Sequence, residues 1–286
     1  MKKISFYIST LLDDNSSISE FEKKIVEFCD LLNSIIDNND EIRIPLQFYE
    51  STIDGSITVA DYLFNPKYAS PYRDLFFENI REYQSEDIEF GRLYLLLDEA
   101  NNESYKALVG ILENKFINED RLYINCIDRM LSPHRFYLEQ LNSLDEFKED
   151  FKRCFPNLIF HVRIDQTINV FNNINEHSRE LIRHLSILND FAKNLYLEIG
   201  VSSNEIYDRL RSEYKIIASG RGSNEGLDKF LCKFANNQNE LEEVRCNPHS
   251  KLYTAHSDYR IYFHWGRENI QNGKILIGHI GNHWDD

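Results

Sequence analysis

Residues 249–286 hold five of the nine histidines, His249, His256, His264, His279 and His283, together with Lys251, Arg260, Tyr262 and Trp284. Imidazoles move protons near neutral pH, and a guanidinium or ammonium beside them can hold a developing oxyanion. Cutting an RNA phosphodiester without a metal needs those parts: a base for the ribose 2′-hydroxyl, a cation for the phosphorane, and an acid for the departing 5′-oxygen. Arg260, Lys251, His256, His264, His279 and His283 supply all three types within one short stretch.

Two apolar runs must position these groups, residues 258–265 and 274–284. Alternation at the two-residue period of a strand puts Arg260, Tyr262 and His264 on one face and Ile261, Phe263 and Trp265 on the other. If the second run is extended, His279 and His283 point to a common side, and Gly278 and Gly281 leave room for another backbone or a ligand. Arg260 is about as well suited to an ion pair with Asp258 or Glu268 as to catalysis. For His283, fraying near the end of the sequence is the competing expectation.

Other chemistries find less support. Cys246-x-x-His249 and His279-x-x-x-His283 each offer two zinc ligands, but the second spacing suits a helix and lies in a strand-like run. The five cysteines are an odd number without a CxxC pair, which argues against a disulfide framework and for a reducing compartment. Cys29, Cys126, Cys154 and Cys232 sit in apolar runs, where buried structural thiols are expected. Ser219-Gly-Arg-Gly-Ser223 lacks the spacing of a phosphate-binding loop. Asp98-Glu99 is the acidic pair to watch for a metal-dependent nuclease, with helix N-terminal charge as its structural explanation.

The upstream sequence alternates strand candidates at 4–8, 42–49, 92–97, 122–127 and 158–164 with helical patterns at 18–36, 105–114 and 134–151, the signature of an α/β layer. Ser17-Ile-Ser-Glu20 spells a capping box for the first helix, and Pro45 places the second strand at an edge or bulge. Helical periodicity continues through 174–197, then 202–217 and 227–235, with a loop at 219–224, before strands at 243–255, 259–265 and 274–280. The expected domains are therefore an acidic α/β domain over 1–165, a helical connector over 166–199, and an α+β domain over 200–286 with two helices on an antiparallel sheet.

The 286 residues carry a net charge of −15, with 42% hydrophobic and 13% aromatic content, enough for a real core. Residues 1–199 hold 21 Lys and Arg against 35 Asp and Glu, whereas 200–286 hold 11 against 12. The acidic part would repel free nucleic acid, and the near-neutral part can bind a phosphate locally. No apolar run is long enough to span a membrane, and residues 4–10 are too short and polar for a signal peptide, so a cytoplasmic protein without a membrane partner is expected.

Tyr259-Arg-Ile-Tyr-Phe263 and Ile275-Leu-Ile-Gly-His-Ile-Gly-Asn-His-Trp284 resemble the closing strands of the RelE, YoeB and HigB superfamily of bacterial toxins, which cut mRNA in the ribosomal A site with little or no metal. The resemblance covers roughly residues 200–286. It implies a RelE-like fold, no cofactor, Arg260 on the scissile phosphate, His283 as general acid, and Trp284 as a stacking platform for a base. Lys251 and His256 join as catalytic candidates, and Tyr262, His264 and His279 as RNA-contacting ones. The family's helical lysines are sparse here, its base residue has no clear counterpart, and Trp284 replaces the usual Tyr. The expected function is a metal-independent endoribonuclease toxin or defence effector with RNA and the ribosome as partners, restrained by the acidic domain or by a separate antitoxin protein. The competing expectation is a non-catalytic interaction module in a stress or phage-defence system.

Overall fold

The computed structural model describes residues 2–9, 17–99, 105–111, 118–200, 204–220 and 230–284. The chain is mixed α/β and divides into two compact units, Met1–Tyr137 and Leu138–Asp286. The boundary therefore falls well before residue 165, and residues 166–199 belong to the second unit instead of linking two others. Among the described residues, no helix is long and apolar enough to cross a membrane.

In the first unit, β1 (Ser5–Ser9), β2 (Glu41–Pro45), β3 (Gln84–Glu86), β4 (Lys106–Gly110) and β5 (Tyr123–Ile124) form a parallel sheet in the order β3-β2-β1-β4-β5. The connections carry α1 (Ile18–Asp37), α2 (Val59–Phe64), α3 (Pro71–Ile80) and α4 (Phe90–Asp98), and α5 (Ser132–Glu139) follows β5. Phe6, Ile8, Ile42, Ile44, Ala107, Leu108 and Val109 join the core with Phe21, Ile25 and Leu32 of α1. Ser17 and Glu20 form the expected capping box. Tyr7 is buried in the same core, and its hydroxyl donates to Glu86 at 2.8 Å and accepts from Lys106 Nζ at 2.7 Å. His134 is consumed structurally: its Nε2 lies 2.8 Å from Asp40, whose other oxygen accepts the Ile4 amide.

The second unit contains α6 (Leu144–Asp150), β6 (Leu158–Phe160), α7 (Ile164–Thr167), α8 (Ser178–Ile187), α9 (Lys193–Ile199), α10 (Asn204–Tyr214), β7 (Ile217–Ser219), β8 (Leu231–Ala235), β9 (Leu241–Arg245), β10 (His249–Lys251), β11 (Tyr259–His264) and β12 (Ile275–Asn282). Its main sheet runs β6-β12-β11-β10-β7. β6 pairs parallel to β12 and the remaining neighbours are antiparallel. β8 and β9 form a separate antiparallel hairpin whose Cys232, Phe234, Val244 and Cys246 pack with Tyr262 and Leu276.

Several sequence expectations are corrected by tertiary context. Residues 92–97 are helical, because a Leu-rich run without β-branched residues favours a helix that buries Leu93 and Leu97 four apart. Asp98-Glu99 therefore ends a helix instead of a strand, and Asp98 accepts the Asn118 amide at 3.2 Å. Residues 106–110 form β4, because a position between β1 and β5 rewards a continuous apolar run. The single helix expected over 134–151 is two, with Ser143 capping the second. Helix 202–217 stops at Tyr214 and yields to β7, and the described end of 227–235 is β8, which puts Cys232 on a strand. Residues 221–229, most of the expected 219–224 loop among them, lie outside the described residues. Pro45 ends a strand that is not at the edge, pairing only with β3 where β1 no longer follows. Cys126 is exposed.

Candidate functional site

Three cross-strand pairs build one row across four strands of the second unit: Ser219 opposite His249, His249 opposite Tyr262, and Tyr262 opposite His279. Residues directly opposite each other share a face, so these four side chains stand side by side. The adjacent row is Ile217, Lys251, Arg260 and Gly281, two residues further along each strand. The alternation that groups Arg260, Tyr262 and His264 against Ile261 and Phe263 is thus the one the strand uses.

His249 is the centre of the row. Its ring lies 5.0 Å from Tyr262 and 6.4 Å from His283, centroid to centroid. Nε2 is 3.1 Å from Ser219 Oγ, and Nδ1 is 3.4 Å from the Asn247 carbonyl oxygen. A carbonyl only accepts, so Nδ1 carries the proton and Nε2 takes the Ser219 hydroxyl hydrogen. Burial first, then the charges of Arg260, Lys251 and His283, push the His249 imidazole down to about 4.

The far end of the row is aromatic. His279 donates Nε2–H to the Asn282 carbonyl at 2.9 Å and stacks on Trp284 at 4.9 Å. Burial and the Arg163 charge push this imidazole down to about 4 as well, the Asn282 contact working the other way. The Arg163 guanidinium sits 4.5 Å from the Trp284 ring centroid, and the Trp284 amide donates to the Tyr262 hydroxyl at 3.2 Å. A base reaching Trp284 therefore competes with an imidazole and a guanidinium already packed on that ring. The His283 ring lies 6.3 Å from Tyr262, which brings it to the same side as His279.

The expected residues thus separate. Arg260, Lys251, Tyr262, His279, His283 and Trp284 meet on one face. Arg260 is buried and donates to the Tyr259 carbonyl at 3.0 Å. His264 shares the strand face, but it accepts the Gly266 amide at 3.0 Å, and its charged neighbours are Arg267 and Lys193; burial holds it at about 4. His256 is exposed in the turn between β10 and β11, outside both rows. The space at Gly278 and Gly281 is also filled from within. A Cβ on Gly278 would meet Cys232 Sγ and Cys246 Sγ at 2.8 Å, and one on Gly281 would meet the Thr167 carbonyl oxygen at 2.9 Å.

Three participants were not singled out for this role by sequence: His249, which figured only as a zinc ligand, Ser219, and Arg163. Their proximity comes from strand pairing and from the chain leaving β6, neither of which has a local signal. Among the described residues, no three His, Cys, Asp or Glu side chains converge as metal ligands.

No known family model matches this chain, and neither a curated protein nor a solved structure does.

Proposed function

We propose that the second unit is a metal-independent phosphodiesterase acting on RNA, the activity implied by the resemblance of 259–263 and 275–284 to the RelE-type toxins. The observation that carries the reading is the row of Ser219, His249, Tyr262 and His279 beside Lys251 and Arg260. Lys251 and Arg260 are the cations for the phosphoryl oxygens. His249, held neutral by burial and by those same cations, is the base. His283, partly exposed at the end of the row, is the acid for the leaving oxygen. A ribosome-bound mRNA is the substrate we favour, in the setting of a stress or phage-defence system.

The first unit carries 14 Lys and Arg against 25 Asp and Glu, most of the chain's negative excess. We propose that this acidity restrains the second unit's access to RNA. Residues 138–286 expressed alone should inhibit growth and cut RNA more strongly than the full chain; equal activity discards the restraint.

Cleavage mapping of mRNA on translating ribosomes, with chelator present, tests the activity. Arg260→Ala, His283→Gln and His249→Asn, each shown to be folded, should lose about 10²-fold or more. The absence of cuts from both folded full-length protein and residues 138–286 rejects the enzyme and leaves a non-catalytic interaction module in a stress or phage-defence system. The packing of Arg163 and His279 on Trp284 favours that second reading, since it gives the aromatic end of the row a structural use.

A further inference from the structure

We propose that Ser219 is the nucleophile of this site, so that phosphodiester cleavage passes through a covalent phosphoserine. This rests on the reading of the face as a phosphodiesterase and says which hydroxyl does the attacking.

His249 has one proton on Nδ1, directed at the Asn247 carbonyl, and one lone pair on Nε2, directed at Ser219 Oγ 3.1 Å away. The proton this imidazole is placed to remove is therefore the Ser219 hydroxyl proton. A nucleophile bonded to a base, with the base oriented by a third group on its other nitrogen, is the arrangement required for an activated serine. Ser219 ends the edge strand β7 and is only partly buried, so a substrate can approach it from beyond the sheet. Lys251 lies one row away on the adjacent strand, about 7 Å along it, within reach of a phosphoryl group on Oγ, and Arg260 stands opposite Lys251 one strand further in. A bound phosphate would also offset the cations that oppose protonation of His249, strengthening the base once substrate is in place.

The step balances without a further reactant. Ser219 Oγ bonds to phosphorus as its proton passes to His249 Nε2. The bond from phosphorus to the leaving oxygen breaks, and that oxygen takes the proton from His283. Water then attacks phosphorus as His283 accepts its proton, and the Oγ–P bond breaks with Ser219 taking its proton back from His249, releasing a phosphomonoester.

A serine nucleophile needs no ribose 2′-hydroxyl, which gives the test. Full-length protein with chelator is given bis(p-nitrophenyl) phosphate, an RNA oligonucleotide and its 2′-deoxy counterpart, and separately diisopropyl fluorophosphate as a trap. The expected result is p-nitrophenolate release, cleavage of both oligonucleotides, and a diisopropyl phosphoryl label on Ser219 in a peptide map. Ser219→Ala should lose the label and at least about 100-fold of the turnover, while Ser219→Thr retains part of it. Cleavage of RNA alone, with no label and with Ser219→Ala within about threefold of wild type, overturns the serine nucleophile and leaves the ribonuclease reading standing. No cleavage of any substrate by folded full-length protein or by folded residues 138–286 overturns both.

Discussion

Two serine–imidazole pairs meet at consecutive residues of β10, one on each face of the sheet. His249 pairs with Ser219 of the neighbouring strand, and Ser250 pairs with His184 of α8. The pleat sends adjacent side chains to opposite faces, so the same two chemical groups experience different surroundings. Ser250 and His184 are both fully buried at 0% exposure, and His184 Nε2 lies 3.1 Å from a Glu180 oxygen. Glu180 also accepts from Arg183 at 2.8 Å and from the Tyr253 amide at 2.8 Å, which holds its carboxyl well below the usual range despite burial. That pair ties α8 to β10 and to the turn after it, where no substrate can reach. Ser219 and His249 stand at an edge with cations and no carboxylate among the charges acting on the imidazole. Access and the sign of the surrounding charge, more than the pair itself, separate structural work from catalytic work.

The largest effect that could break this contrast comes from His249→Asn. Turnover of bis(p-nitrophenyl) phosphate should fall about 10²- to 10⁴-fold while the urea midpoint stays close to wild type. His184→Ala should do the reverse. Removing it leaves the Ser250 hydroxyl and the Glu180 carboxylate short of a partner in the core, a loss of about 2–4 kcal/mol measured by urea unfolding, with residual activity in proportion to the folded fraction. If His184→Ala abolishes turnover in protein that is still folded, the covered pair is not merely structural and the contrast fails.

How much of this was readable beforehand depends on whether the determining contact is local. β11 and β12 announce themselves because Tyr259–His264 and Ile275–Asn282 have the composition and alternation of paired strands, and α1 because Ser17 and Glu20 cap it within four residues. Leu93 to Leu97 looks apolar in either geometry, so length and propensity had to choose, and the strand reading lost. Lys106–Gly110 is decided by its place between two strands. The site shows the same division. The strand face of Arg260 and Tyr262 follows from alternation, whereas the meeting of Ser219 with His249, and of Arg163 with Trp284, requires the sheet order. His256 lies exposed in a turn, since nearness along the chain carries a residue into a turn as readily as into a site.

Arg163→Ala sharpens the contrast from the other end of the row. Its guanidinium packs on Trp284 and opposes protonation of His279 without entering the Ser219–His249 pair. If it contributes a phosphate contact, RNA affinity measured by fluorescence anisotropy should weaken about tenfold, with the salt slope reduced by roughly one, while labelling of Ser219 persists. An unchanged salt slope would confine Arg163 to packing.

The smallest expected effect is on stability against pH, and it reads directly the environment that distinguishes His249. His249, His264 and His279 are each held near 4, against about 6.5 for a free imidazole, with burial the largest cause in every case. Between those values the unfolded chain binds protons that the folded chain refuses. Stability is therefore fully present above pH 6.5 and declines as pH falls toward 4, by at most about 1.4 kcal/mol per pH unit for each histidine. Carboxylates titrate in the lower part of the same window, so the informative quantity is the difference between wild type and His249→Asn in urea midpoints at pH 7, 6 and 5. The variant should show the shallower decline. Parallel declines would mean that His249 protonates at an ordinary pH in the folded protein, and the burial and cations held to set it apart would then have no effect on its titration.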